Sequence, residues 1–358
     1  MSPVSAPRRP AVSRILIVAP NWLGDCLMSQ PLLTRLKAKA RHTAIDVIAI
    51  PAVAPVFRRM AEVDQVIEAD FRHGRLGLAD RWRLGRRLAG QYAQAFVLPN
   101  SWKSALLPFF ADASLRVGYI GESRHGLINL KHRNPKKNAP RLPMAQFYAQ
   151  LGEPPGQELP ADFAGQLARP RLIADPLRMI ATKVQLGILP TERLVALCAG
   201  AEYGPAKRWP AEYFATVAGK LKAMGATPVV LGTQADVPTG LTIEQLSHGA
   251  ALNLCGKTSL DQAIDLIAGS VAVITNDSGL MHVAAALDTP QVALFGSSSP
   301  KHTPPLSSSA RVIYLGVDCS PCYERVCPLG HFKCMRELTP AQVLETFEAL
   351  GTSASARI

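Results

Sequence analysis

No apolar run in these 358 residues approaches the roughly 18 that a membrane-spanning helix requires, so no segment reads as a bilayer span. The opening stretch, Met1-Ser-Pro-Val-Ser-Ala-Pro-Arg-Arg-Pro10, lacks the apolar core of a signal peptide. That predicts a disordered tail over 1–12 and a chain that stays in the cytoplasm. Glycine is scarce where a dinucleotide would need it. The first strand-to-helix turn, Pro20-Asn-Trp-Leu-Gly-Asp25, has one glycine where G-x-G-x-x-G has three, which argues against a dehydrogenase. No Asp-x-Asp occurs anywhere, so the pattern offers no carboxylate pair for a divalent ion and none is expected in the chemistry.

What is present is a hydrophobic fraction of 48% arranged as short β-branched runs alternating with helical patterns. Strand-like runs at 14–19, 45–50, 64–68, 95–99 and 115–119 alternate with helical patterns at 25–40, 74–90 and 101–111. This is a βαβ series and predicts a mainly parallel sheet. A Pro/Gly-rich stretch from Glu153 to Pro170 reads as a linker. After a helix near 173–186, a second series places strands near 194–198, 227–231, 271–275, 291–295 and 311–315. The expected division is a first domain over 13–168 and a second over 169–339. A closing helix from Pro340 to about Leu350 lies in segment 340–358, and its return to the first domain is left open.

Charge is distributed unevenly between the halves. Residues 1–160 hold 23 Lys+Arg against 11 Asp+Glu, which accounts for the whole net charge of +12. A basic half predicts an anionic partner. Arg124, Lys131, Arg133, Lys136, Lys137 and Arg141 crowd one segment with Glu122 as the only counter-charge. The segment shows no aromatic RNA-binding motif, finger spacing or basic helix register, so nucleic acid is not the expected partner. An anionic glycolipid at a membrane surface fits the cluster, as does a plain solvated face.

Two strand-to-helix turns in the second half suit an anion. Val271-Ala-Val-Ile-Thr275 stops at Asn276-Asp-Ser-Gly279, and an Ala-rich helical pattern containing Leu280 and His282 begins there. Asp277 or Ser278 can cap that helix, and Gly279 permits close approach of a ligand to the backbone. Free N–H groups at a helix start favour a diphosphate, and ligands of open parallel sheets sit beyond the carboxyl ends of strands. The second turn follows Leu194–Cys198 and runs Gly200-Ala-Glu-Tyr-Gly-Pro-Ala-Lys-Arg-Trp-Pro210, putting Lys207 and Arg208 just before a helix. Asp25 is a lone carboxylate at the end of the first strand. It reads equally as a helix cap and as a general base.

These motifs, with Ile15-Leu-Ile-Val-Ala-Pro-Asn-Trp-Leu-Gly-Asp-Cys-Leu-Met-Ser-Gln-Pro31 and Phe295-Gly-Ser-Ser-Ser-Pro300, resemble glycosyltransferase family 9 over nearly the whole chain. The one visible departure is Ala199, where proline is expected before Gly200. The nearest members move L-glycero-D-manno-heptose from ADP-L-glycero-β-D-manno-heptose to a heptose of the lipopolysaccharide inner core. The resemblance implies the GT-B architecture, two doubly wound Rossmann-like α/β domains facing across a cleft, acting in lipopolysaccharide biosynthesis. It implies Asp25 as catalytic base and Lys207 as stabiliser of the departing ADP. Donor contacts are expected from Gly200, Ala201, Glu202, Lys207, Asp277, Ser278, Gly279, Leu280 and His282. Thr258 is expected near adenine, and Thr233 and Asp236 near ribose. Asn21, Arg124, Lys131, Arg133, Lys136 and Lys137 are expected to meet a lipid A–Kdo–heptose acceptor at the inner face of the inner membrane. No cofactor is required. Heptosyltransferases I and III, a nucleotide-sugar epimerase on the same plan and an inactive carbohydrate-binding relative are the competing readings.

One motif stands apart from this function. Cys319, Cys322, Cys327 and Cys334 form C-x2-C-x4-C-x6-C with His331 inside, whereas Cys26, Cys198 and Cys255 are scattered. In a reducing compartment the pattern fits a closed structural zinc site or four unliganded thiols. Neither assigns the cluster to catalysis.

Overall fold

The computed structural model describes residues 14–71, 76–135 and 141–354, the last three of these as backbone only. They form two compact units. The first takes residues 14–21, 31–71, 76–135 and 148–163, and the second takes 22–30, 141–147 and 164–354.

The first unit is built on one parallel sheet of β1 (Arg14–Val18), β2 (Ala44–Ala49), β3 (Gln65–Glu68), β4 (Gln94–Val97), β5 (Leu115–Tyr119) and β6 (Leu130–His132), in the order β3-β2-β1-β4-β5-β6. Every residue of β2 is buried, the pattern of a strand covered by helices on both faces. Chain order reverses between β1 and β4, where Val18 pairs with Val97. Arg124 lies here, and its guanidinium is buried at 1% exposure. It donates to Tyr119 O, to Pro99 O at 2.6 Å and to Asn100 Oδ1 at 3.1 Å. Arg124 is therefore a clasp between the ends of β4 and β5. The expectation that it joins an exposed basic face is corrected, because the local carbonyls already hold its donors.

The second unit repeats the plan with β7 (Leu194–Cys198), β8 (Thr227–Val230), β9 (Leu252–Asn253), β10 (Ser270–Asn276), β11 (Gln291–Phe295) and β12 (Ala310–Tyr314). Their order is β12-β11-β10-β7-β8-β9, so chain order reverses between β7 and β10. The core gathers Val195, Leu197, Trp209, Phe214, Ile274 and Leu294. The closing helix Pro340–Ala354 adds Val343 and Leu350 to this same core. Its apolar face is thus used within the second unit.

The helical pattern over 25–40 is two helices, Leu23–Met28 and Gln30–Lys39. Pro31 cannot donate a backbone hydrogen bond, and the hydroxyl of Ser29 donates to Cys26 O at 2.7 Å, closing the first helix. The first of these helices, with Asp25, belongs to the second unit rather than to the domain in which its position in the chain placed it. No helix among the described residues is long and apolar enough to cross a membrane.

Candidate active site

The site grows from the reversal point of the second sheet. β7 and β10 lie side by side with Thr275 opposite Cys198, so the loops that follow them emerge together. Asn276, fully buried, ties the two loops. Its amide donates to Ala199 O at 2.7 Å and its carbonyl accepts from Trp209 N at 3.1 Å. Beyond it, Ser278 is the N-cap of helix Gly279–Ala286, but no side chain caps that helix. Asp277 turns instead to Lys207 and Ser298. The first N–H groups of the helix are left to whatever ligand approaches, an arrangement suited to phosphate.

Lys207 ends a single 3-10 turn, Pro205–Lys207. Its Nζ lies 2.5 Å from Asp277 Oδ2, and the two side chains are 15% and 4% exposed. The ammonium also lies 5.1 Å from the Tyr203 ring centroid. Ser298 Oγ donates to the same carboxylate oxygen of Asp277. The charge of Lys207 is thus oriented by a buried anion and a ring, with little room to swing into solvent.

Asp25 reaches this group because two glycines let its short helix press against helix Gly279–Ala286. A β-carbon on Gly24 would stand 2.8 Å from His282 Cδ2, and one on Gly279 would stand 2.8 Å from Leu23 Cβ. Burial pushes the Asp25 carboxyl up to about 6, with Lys207 pulling the other way. A carboxylate poised there is ionised at neutral pH yet basic enough to accept a proton. His282, 6% exposed, is pulled down to about 4 by burial, against the charge of Asp277 and with that of Lys207. It is neutral at physiological pH and serves as a hydrogen-bonding group rather than a cation.

Asp25, Lys207, Asp277, Ser278, Gly279 and His282 are therefore brought together. Leu280 follows in the first turn of the helix, half-buried. Gly200 and Ala201 lie in the loop after β7, and Glu202 beside them is exposed. Thr233 and Asp236 are engaged with each other, since Thr233 N and Oγ1 both donate to Asp236 Oδ2 at 2.9 and 2.8 Å. Their ribose role would have to use what this capping box leaves free. Thr258 is half-buried beside the start of helix Leu260–Ala268. In the first unit Asn21, Lys131 and Arg133 are exposed, while Lys136 and Lys137 lie outside the described residues.

Sequence reasoning missed Tyr203, Asn276 and Ser298. The run Gly296-Ser-Ser-Ser299 marked a special loop, but nothing in it singled out which hydroxyl would meet Asp277.

Residues 81–333 match glycosyltransferase family 9 (heptosyltransferase). The chain is 41% identical over 314 residues to lipooligosaccharide heptosyltransferase 2 of Haemophilus influenzae, covering 84% of this chain and 88% of that one. It is 40% identical over 345 residues to lipopolysaccharide heptosyltransferase 2 of Escherichia coli, covering 94% and 98%. The solved structure of E. coli ADP-heptose lps heptosyltransferase II superposes with a TM-score of 0.81 at 38% identity, over 94% of this chain and 98% of that one.

Proposed function

The chain belongs to glycosyltransferase family 9, and from that premise we propose that it transfers L-glycero-D-manno-heptose, with inversion, from ADP-heptose to a heptose of the lipopolysaccharide inner core. The observation that carries the mechanism is the meeting of one half-buried carboxylate, poised near neutrality, with an oriented ammonium at an uncapped helix start.

The chemistry is one displacement. The acceptor hydroxyl passes its proton to Asp25 as its oxygen attacks the anomeric carbon from the face opposite the diphosphate. The bond from that carbon to the diphosphate oxygen breaks, and ADP departs with the electron pair. Lys207 and the N–H groups at Ser278–Leu280 meet the charge that develops on the leaving oxygen, which is where fixed donors lower a barrier most. Neutral His282 donates to a phosphate or sugar oxygen without adding charge. Asp277 holds Lys207 in place, and its negative charge keeps it away from phosphate itself.

The acceptor in this reading is the lipid A–Kdo–heptose glycolipid, met at the inner face of the inner membrane by a peripherally bound enzyme. The excess positive charge of residues 1–160 supports that part, with Lys131 and Arg133 exposed.

Release of ADP against truncated lipopolysaccharide acceptors tests the proposal. Turnover should require an acceptor already carrying the first heptose. Equal turnover on an acceptor with no heptose would assign the chain to the first transfer instead. Consumption of ADP-heptose with no acceptor at all would make it an epimerase or hydrolase.

A further inference from the structure

The segment after β12 has no visible reason to hold its shape. Between Tyr314 and the short helix Lys333–Arg336 it contains no strand or helix, and Val326 and Leu329 are 60% and 62% exposed. A segment with so little core of its own is ordinarily stapled by a covalent or metal link. Yet it makes close and specific contact with the loop that carries Lys207. Arg325 O accepts from Ala206 N at 3.1 Å, Arg325 Nε donates to Tyr203 O at 2.7 Å, and Tyr203 OH donates to Tyr323 O at 2.6 Å. A β-carbon on Gly204 would stand 2.3 Å from Arg325 O, so the two backbones touch. On its other side Tyr323 N donates to Ser297 O at 2.7 Å, beside Ser298 and Asp277.

All four cysteines of the C-x2-C-x4-C-x6-C motif line one small cavity of about 20 Å³ in this segment, together with Ala206, Ser297 and His331. That is room for a single atom-sized guest. No disulfide joins them. Gly330 and Phe332 adopt left-handed backbone at φ 69° and 52°, and Gly330 N donates to Cys327 O at 3.1 Å, which turns the chain back between Cys327 and Cys334. Ser297 Oγ, buried in the cavity wall, has no hydrogen-bond partner. His331 Nδ1 accepts from Lys333 N at 3.0 Å and is committed to the turn.

We propose that Cys319, Cys322, Cys327 and Cys334 bind one divalent metal ion of the soft, tetrahedral class, zinc or iron(II), and that this ion pins the segment backing the Lys207 loop. Each thiol gives its proton to solvent as its sulfur binds. Among the described residues no three His, Cys, Asp or Glu side chains stand at coordinating geometry as the chain lies here, so binding draws all four thiols, exposed Cys319 included, together around the cavity they line. The role is positioning: the ion touches neither substrate nor reacting atoms. The metal site stands apart from the proposed transfer reaction, and only its effect on Lys207 rests on that reading.

Elemental analysis of the full chain, purified without added metal or chelator, should find about one zinc or iron per chain and so identify the ion. Cys322→Ser and Cys327→Ser should each cut that content at least tenfold, since losing a ligand costs no less than losing an outer-shell partner, itself worth about 10–100-fold. His331→Ala should keep it. ADP affinity measured by calorimetry should fall in both cysteine variants, because the loop of Tyr203 to Lys207 loses its backing. Folded wild-type protein with no metal and four freely reacting thiols, or with the cysteines paired as disulfides, would overturn the proposal whatever the variants do. Loss of metal in His331→Ala would overturn the all-sulfur site. Metal retained with no transfer activity would leave the site standing and remove the proposed reaction.

Discussion

Gly24 and His282 touch across two helices so closely that a methyl group on the first would stand 2.8 Å from the ring of the second. Asp25 is the next residue, so a push on Gly24 moves its carboxylate as well. Gly24→Ala should therefore destabilise the fold by about 1–3 kcal/mol, the usual cost of overpacking, and lower kcat by displacing Asp25. Adding His282→Ala should recover much of the lost melting temperature without restoring kcat. Melting curves and kcat for the single and double variants check this. An alanine variant of unchanged stability would mean that the helices separate freely.

Asp25→Asn should lower kcat by roughly 100-fold or more and leave ADP affinity nearly unchanged. In the wild type, kcat/KM should rise with pH through about 6, where the carboxyl ionises, and the variant should lack that rising limb. Turnover within about threefold of wild type would reduce Asp25 to a member of the first helical turn.

The same shift has a stability consequence of opposite sign. The folded protein holds the Asp25 proton to about pH 6, while an unfolded chain releases it near 3.8. Stability from this group is complete below the lower value and declines as pH rises between the two. Above pH 6 the buried charge costs about 1–2 kcal/mol after allowing for the side chain's partial exposure. Asp25→Asn should thus raise the melting temperature at pH 7–8 and not at pH 4. An equal change at both pH values would point to packing rather than ionisation.

Lys207→Ala should slow transfer by roughly 100-fold, comparable to loss of one fixed donor to a developing charge, and weaken donor use less than it slows the chemistry. Asp277→Asn should cost less, because the ammonium remains but is no longer oriented. Steady-state kinetics on both variants separates the two. A change confined to the acceptor's KM would put Lys207 in another subsite.

Neutralising Lys131 and Arg133 together should impair use of a phosphorylated glycolipid acceptor and leave ADP affinity alone. The loss should shrink with added salt, since exposed charges are screened beyond about 10 Å at 0.1 M. Equal losses on an acceptor stripped of phosphates would show that the pair supports the edge strand β6, where Lys131 sits.

Both sheets were legible in the sequence because β-branched runs alternate with helical patterns, and that period survives folding. β6, three residues long, was not, since Leu130–His132 is too short to show a period. Asp277, Lys207 and His282 could be picked out as candidates because each lies near a strand end where the topology of an open parallel sheet favours a ligand. Ser298 could not, because its role depends on where a neighbouring loop returns. Arg124 shows the opposite failure. A guanidinium in a run of basic residues looks like surface charge, and only the carbonyls of Pro99 and Tyr119 reveal it as internal.

Trp209 is 1% exposed, with its backbone N–H on Asn276 and its indole N–H on Leu338 O at 2.8 Å. Trp22, Trp82 and Trp102 are 47%, 53% and 38% exposed. The intrinsic fluorescence of the chain therefore divides into one blue, quencher-shielded emitter and three red, quencher-accessible ones. The blue emitter is seated between the Lys207 loop and the residues that lead into the closing helix, so its wavelength reads the integrity of that loop without any label.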